Sequence, residues 1–389
     1  MLQVLFATDP ILKLIQNILK SGLDLQSTCP TIEVLVQTYS KMNQITGRGF
    51  EPKEMFQLFG KLNSEYKNGQ HDAEEGLLLI LNSIHDELDA LRKLSEKNDT
   101  TTNNNNNIQM DSEDGDWQTM TKSGKTVTTA KKVALQKTTF ISRYFGGSLT
   151  SSVRIESANE KTTRTSNNNV ASRAAFSTTE QPFMTLPLEI SKANDIQSAL
   201  RYLSKVENVD GYQARLSRQQ LCNCILHIIL PYHMAHMLVR LRLVITKIQV
   251  NGNVVSASRK LTISKLPEIL ILTVKWFEFN PYTLNIEKVV KSLRLPETLT
   301  LPRECLNQSI KRKPPVYELY AIINHYGGTP CSGHYTSEVR SDTNYGSVTG
   351  PQWFQLDDSL VSEIPLDTVF SGSDPNRTPY ILFYRRKRN

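Results

Sequence analysis

YELYAIINHYGGTPCSGHYTSEV, residues 317–339, has the pattern of β-structure. Tyr317, Leu319, Ala321 and Ile323 alternate with their neighbours, the period of two that gives a strand two distinct faces. Tyr335 to Val339 is a second short strand, which leaves His334 at a loop-to-strand junction beside Gly333. Tyr380 to Tyr384 is a further strand, and ILILTVKWFEF (269–279) is a long β-type run behind Leu266-Pro267. From Phe140 onward strands dominate, apart from an unstructured patch at 156–180.

The first hundred residues carry the helical period instead. Ile11, Leu14, Ile15, Ile18 and Leu19 form one apolar face between an Asp9-Pro10 start and a Ser21-Gly22 stop. Ile32, Leu35, Val36 and Tyr39 repeat the pattern, as do Met55, Leu58, Phe59 and Leu62. A longer face holds Leu77, Ile80, Leu81, Ile84, Leu88 and Leu91. Helices first and strands later predict an α+β protein, a helical lobe (1–97) against a mostly antiparallel β-rich lobe (138–389). Between them 98–137 loses all periodicity. It holds an asparagine run (Asn103–Asn107), the acidic stretch Asp111–Asp116 and one large apolar anchor, Trp117, and is expected to be a disordered insertion.

The chain has 389 residues, 39% hydrophobic and 21% charged, which is enough to bury a sizeable core. A net charge of +7 without a Lys/Arg stripe interleaved with aromatics argues against a dedicated nucleic-acid binder. The cluster Arg385-Arg386-Lys387-Arg388 reads as a frayed, solvated run. Five cysteines, odd in number and irregularly spaced, imply no disulfide framework and a reducing compartment; the expected location is the cytoplasm, with the nucleus second. Leu221 to Val239 lacks acidic and basic residues, yet its Asn223, Pro231 and three histidines disfavour a membrane span.

Two constellations could carry chemistry. His334 is followed 23 residues later by Asp357-Asp358, the pairing a general base and its orienting carboxylate require. Gly333 removes a side chain beside that base, so a substrate backbone could approach closely. A histidine beside a glycine in a sheet protein is, however, often purely structural. Second, Gln70-His71-Asp72-Ala73-Glu74-Glu75 opens the long helix, with Asp72 and Glu75 on one face of its first turn. Such a pair could hold a guanidinium, or could simply complement the helix dipole.

Taken together these segments resemble the ubiquitin-specific protease family of deubiquitinating cysteine peptidases. The resemblance rests on the histidine box 317–339, WFQLDDSLV (353–361), PYILFYRR (379–386), GQHDAEEGLLLILNSIHDEL (69–88) and KLPEILILTVKWFEF (265–279). It implies a papain-like cysteine peptidase fold with a helical thumb, a palm sheet and fingers. It implies hydrolysis of the isopeptide bond after ubiquitin's C-terminal glycine by a cysteine thiolate. His334 would be the general base, Asp357 its orienting carboxylate and Asp358 a neighbouring support. Gln70, Asp72, Glu75, Gly333 and Tyr335 would face ubiquitin. The implied partners are ubiquitin and ubiquitinated proteins, the expected state is a monomer, and no cofactor or metal is expected.

Several residues depart from the family pattern. The family's Gly-Asn-Thr-Cys-like box should stand just before Leu2-Gln3-Val4-Leu5, and none occurs in these 389 residues. Cys29, Cys222, Cys224, Cys305 and Cys331 lie in unsuitable elements, so the chain as given is expected to be inactive. Three readings follow: an N-terminally incomplete deubiquitinase, a ubiquitin-binding pseudoenzyme, or an interaction scaffold working through 98–137. Gly76 replaces an aromatic and Trp276 an arginine. Residues 219–255 look inserted; their Cys222, Cys224, His227, His233 and His236 have spacings that fit no common zinc ribbon.

Overall fold

The computed structural model describes residues 1–22, 25, 28–44, 49–67, 71–101, 129–131, 138–155, 176–212, 255–289, 291–329, 332–342, 351–371 and 377–387. Helices come first. α1 (Leu2–Phe6) buries Val4, Leu5 and Phe6. α2 (Asp9–Ser21) starts with Pro10 in its first turn and stops at Gly22, whose φ of 63° takes the left-handed conformation of a C-cap. α3 (Pro30–Gln44) buries Ile32 and Leu35, and its free N–H groups at Thr31 and Ile32 donate to the Glu87 carboxylate at 2.7 and 3.0 Å. α4 (Lys53–Leu62) buries Met55 and Leu58. α5 (Ala73–Thr101), which carries Glu87, places Leu77, Ile80, Leu81 and Ile84 in the core.

The strands form β1 (Thr129–Lys131), β2 (Gly147–Ile155), β3 (Phe176–Phe183), β4 (Thr185–Glu189), β5 (Glu207–Tyr212), β6 (Val255–Lys265), β7 (Ile269–Lys275), β8 (Phe277–Asn280), β9 (Asn285–Lys288), β10 (Thr298–Thr300), β11 (Val316–Thr329), β12 (Ser332–Ser341), β13 (Gln352–Asp357), β14 (Leu360–Ile364) and β15 (Arg377–Arg386). The main sheet runs β14-β13-β12-β11-β15-β7-β4, with β10 also on β11. A second sheet runs β1-β3-β2-β6-β5, and β8 pairs with β9 alone. Pairing is antiparallel except for β4 with β7 and β1 with β3. β7, β11 and β15 are central and covered on both faces, so their sequences read as near-continuous apolar runs rather than clean alternations. One apolar core joins the helices to the main sheet.

The α+β expectation holds, with local corrections. The run 269–279 is two strands: at Trp276 the chain leaves the main sheet, the indole turns inward, and its Nε1–H donates to the Pro379 carbonyl at 2.7 Å. β3 begins at Phe176, inside the stretch read as unstructured. The β-rich half also holds helices α6 (Phe140–Tyr144), α7 (Ile196–Leu203), α8 (Gln308–Lys311) and α9 (Leu366–Ser371). α7 is capped by Asp195, whose carboxylate accepts from the Ser198 backbone at 2.6 Å. Of 98–137, α5 takes in the start as far as Thr101 and Thr129–Lys131 forms β1; the remainder, Trp117 included, lies outside the described residues. So do Gln70, Cys222, Cys224, Cys331 and all of 219–255 except Val255.

Candidate active site

β12 and β13 are antiparallel neighbours, with Ser337 opposite Leu356. His334 lies before that paired stretch and reaches Asp357 at the end of β13: imidazole Nε2 to carboxylate Oδ1 is 2.6 Å. Their side chains remain 51% and 40% exposed. An ion pair this wet contributes less than about 1 kcal/mol to stability, so its geometry is not explained by folding energy. In the tautomer that donates Nε2–H to Asp357, Nδ1 is the ring nitrogen left with a lone pair.

The turn that follows Asp357 is held from several sides. Asp358 and Ser359 make the tight turn between β13 and β14, and Asp358 takes a φ of 49°, a region aspartate tolerates. Gln3 of α1 donates to the Asp358 carbonyl at 3.0 Å and accepts from Ser337 of β12 at 3.4 Å. Gly49 lies against the turn so closely that a Cβ there would collide with the Ser359 Cβ. The His334, Asp357 and Asp358 side chains present ligating atoms within 4.8 Å of one another. Two carboxylates and an imidazole in that arrangement suit proton handling; a hard cation would call for more oxygen donors.

Gly333 serves a different neighbour from the one expected. A Cβ on it would overlap Nε2 of His325 and crowd the Tyr326 carbonyl, so the missing side chain makes room for the His325 ring. His325, not singled out in the sequence, is buried. Burial and the nearby Lys288 charge lower its pKa, so the ring is neutral. It packs 5.0 Å from Tyr335 and 6.0 Å from Phe277 between ring centroids, and Tyr335 lies 6.0 Å from Tyr380.

These rings lead to the head of α5. Asp72 caps that helix, Oδ1 accepting from the Glu74 and Glu75 backbones at 2.7 and 3.3 Å, while Oδ2 accepts from the Tyr380 hydroxyl at 2.5 Å. Burial first, then the Asp72 charge, pushes the Tyr335 and Tyr380 hydroxyls well above the usual phenol range. Glu74, not Glu75, is the buried acid of the pair's neighbourhood: it accepts from Thr185 at 3.0 Å and from Lys275 at 2.8 Å. Glu75 is half-buried beside Tyr66, whose hydroxyl is pushed up to about 12 by burial and then by the Glu75 and Asp72 charges. Asp72 and Glu75 thus occupy one turn, as their spacing predicts, but Asp72 already serves as a cap and as a tie to the sheet.

Four residues along β12 from His334, on the same face, Glu338 is 1% exposed. It accepts from Asn324 at 3.0 Å and from Arg377 at 2.7 Å, and Arg377 also donates to the Val369 carbonyl at 3.0 Å. Burial pushes the Glu338 carboxyl up to about 7, against the pull of Arg377 and Asn324. The described free cysteines, Cys29 and Cys305, are buried. Burial raises both thiols, the opposite of what a nucleophile needs.

The sequence profile described as ubiquitin carboxyl-terminal hydrolase matches residues 1–384. The chain belongs to that family. Rat ubiquitin carboxyl-terminal hydrolase 10 is 29% identical over 360 residues, which are 87% of this chain and 38% of the relative. Ubiquitin carboxyl-terminal hydrolase 24 of Arabidopsis thaliana is 26% identical over 407 residues, 99% of this chain and 62% of the relative. The chain therefore spans about two-fifths to three-fifths of the length of these relatives. A solved structure titled as the SAGA Ubp8/Sgf11/Sus1/Sgf73 DUB module bound to ubiquitin aldehyde superposes with a TM-score of 0.60 at 20% identity, covering 100% of this chain and 66% of that one. The likeness shows the fold: the α+β architecture of the ubiquitin-specific protease type.

Proposed function

We propose that this chain is the ubiquitin-recognising body of a cysteine-type deubiquitinase, with His334 as general base and Asp357 as its orienting carboxylate. The observation that carries the reading is the exposed 2.6 Å contact between Nε2 and Asp357, positioned by Gln3 and Gly49 rather than by burial. In the reaction, the free Nδ1 would take the proton of a thiol. The thiolate would attack the carbonyl of ubiquitin's last glycine, and the imidazolium would then protonate the leaving lysine amine. Asp357 would stabilise the imidazolium throughout. Asp72 and Glu75 would offer negative charge to an arginine of ubiquitin's extended tail.

The thiol is not supplied by Cys29 or Cys305, and the 389 residues hold no Gly-Asn-x-Cys box. The chain alone is therefore proposed to bind ubiquitin without cleaving it. Purified residues 1–389 are assayed by calorimetry with ubiquitin and by turnover of ubiquitin-aminomethylcoumarin. Binding without turnover is expected, with affinity falling about ten-fold or more in Asp72→Asn/Glu75→Ala, where Asn preserves the capping oxygen. Unchanged affinity removes the ubiquitin reading of α5. Turnover that His334→Ala abolishes shows that a thiol within the chain serves as nucleophile.

A further inference from the structure

Two basic runs far apart in sequence, Lys311-Arg312-Lys313 and Arg385-Arg386-Lys387, meet at the start of β11 and the end of β15. Arg385 is fully engaged there, pairing with Glu318 at 3.1 Å and Asp342 at 2.5 Å. The run is ordered sheet up to Arg386, not the frayed segment its composition suggests. Beyond Arg385 the pairing stops. Arg143, Lys313, Arg386 and Lys387 line an open cleft of about 480 Å³, together with Tyr144, Pro314, Pro315 and Val316. Glu268 is the single carboxylate in its wall, 3.5 Å from Arg386. Among the described residues no carboxylate lies within ion-pairing distance of Arg143, Lys313 or Lys387.

We propose that this cleft binds a compact anion bearing two or more phosphate groups. Four cations against one carboxylate repel one another unless an anion joins them, and guanidinium and ammonium groups on different elements suit phosphate oxygens from several directions. The backbone around them is fixed before any ligand arrives. Lys387 N–H donates to the Val316 carbonyl and Arg386 N–H to the Glu268 carbonyl, both at 2.8 Å, while Pro314 and Pro315 restrict φ on the opposite wall. A nucleic-acid strand is a poorer fit, because the wall holds a single aromatic ring, Tyr144, already in contact with Phe140 at 4.8 Å, where strand binding uses a succession of stacking rings. The cleft lies roughly 33 Å along β11 from Tyr326, which pairs with His334, at about 3.3 Å per residue, so its ligand would not touch the dyad.

The test uses the full chain and tripolyphosphate, with calorimetry and thermal shift at low and moderate salt. Binding is expected, weakening with salt, with affinity falling about ten-fold or more in Lys313→Ala/Lys387→Ala and in Arg143→Ala. The charge-matched control Lys13→Ala/Lys61→Ala, on α2 and α4, should change it less than about two-fold. The single Arg143 variant keeps the test decisive if the double variant folds poorly. Phosphatidylcholine vesicles doped with a bisphosphorylated phosphatidylinositol identify the source. Retention that tripolyphosphate competes away assigns a lipid headgroup, and binding in solution alone assigns a soluble phosphoanion; both support the cleft. Equal losses in cleft and control variants, no binding, or a DNA duplex bound as tightly through the same residues overturns it.

Discussion

Glu338→Gln should remove a stability slope that the wild-type protein shows between about pH 4.5 and about pH 7. Glu338 is buried on β12, and burial lifts its carboxyl from 4.5 to about 7. At about 1.4 kcal/mol per pKa unit this is about 3 kcal/mol of preference for the protonated form in the folded state. The sign follows from linkage. Between those two values the folded protein binds more proton than the unfolded chain, so the contribution is fully present below about pH 4.5, falls as pH rises, and is gone above about pH 7. Losing the Arg377 partner in the Gln variant adds a constant offset, not a slope, because a guanidinium does not titrate in this range. Urea denaturation of both proteins across this range gives the difference curve, which should decline by about 3 kcal/mol toward alkaline pH. A flat difference across this range would refute the reasoning: it would show that the Arg377 contact, at 2.7 Å, offsets or outweighs burial, and a rise with pH confined to below about pH 4.5 would show that it outweighs it.

Trp276→Ala should cost about 3–5 kcal/mol in chemical denaturation, since it empties a buried indole site and leaves the Pro379 carbonyl without its donor. Gly76→Ala should stabilise by about 0.5–1 kcal/mol, read as a rise in melting temperature. Its Cβ would meet Met1 and Phe59 atoms at ordinary contacts of 3.6 to 3.8 Å, while helix propensity improves. Lys275→Met should cost about 3 kcal/mol by stranding the Glu74 carboxylate, and adding Glu74→Gln should recover much of it in a double-mutant cycle. Gly49→Val should shift the Asp358-Ser359 turn and weaken the His334–Asp357 contact, visible as changed His334 ring chemical shifts by NMR with little loss of global stability.

What was legible in the sequence was periodic or local. The apolar faces of α2 to α5 stand largely where the spacing places them, because burial of one helix stripe leaves a mark every three or four residues; Leu19 and Leu62, read as the ends of two of those faces, are exposed instead, each lying in the last turn of its helix. His334 and Asp357 were legible as a pair because the short strands around them set their register. α7 was missed although Asp195 marks its cap and Ile196, Ala199 and Leu200 its buried face; eight residues within β-rich sequence are easily read as a loop. The break at Trp276 was not legible, since Phe277 and Phe279 continue the β-type residues of β7 without a turn signal and the indole's partner, Pro379, lies far along the chain. For the same reason Glu74, His325 and the Glu338–Arg377 pair were invisible: each is defined by partners distant in sequence.

The long-range ties also change what the acidic head of α5 can do. An exposed carboxylate that must first be ordered loses part of any bond it makes to rotamer entropy. Asp72 has no such freedom to lose, because the α5 backbone holds one oxygen and Tyr380 the other. Tyr380 in turn packs on Tyr335, the residue next to His334, and Tyr335 packs on the His325 ring that Gly333 admits. A chain of fixed contacts thus runs from the helical lobe to His334, and displacing the head of α5 would disturb the strand that carries it. Loss of Tyr380's hydroxyl, which leaves the side chains of Asp72, His334 and Asp357 intact, is the perturbation that would separate the proposed recognition through Asp72 from support of the His334–Asp357 contact.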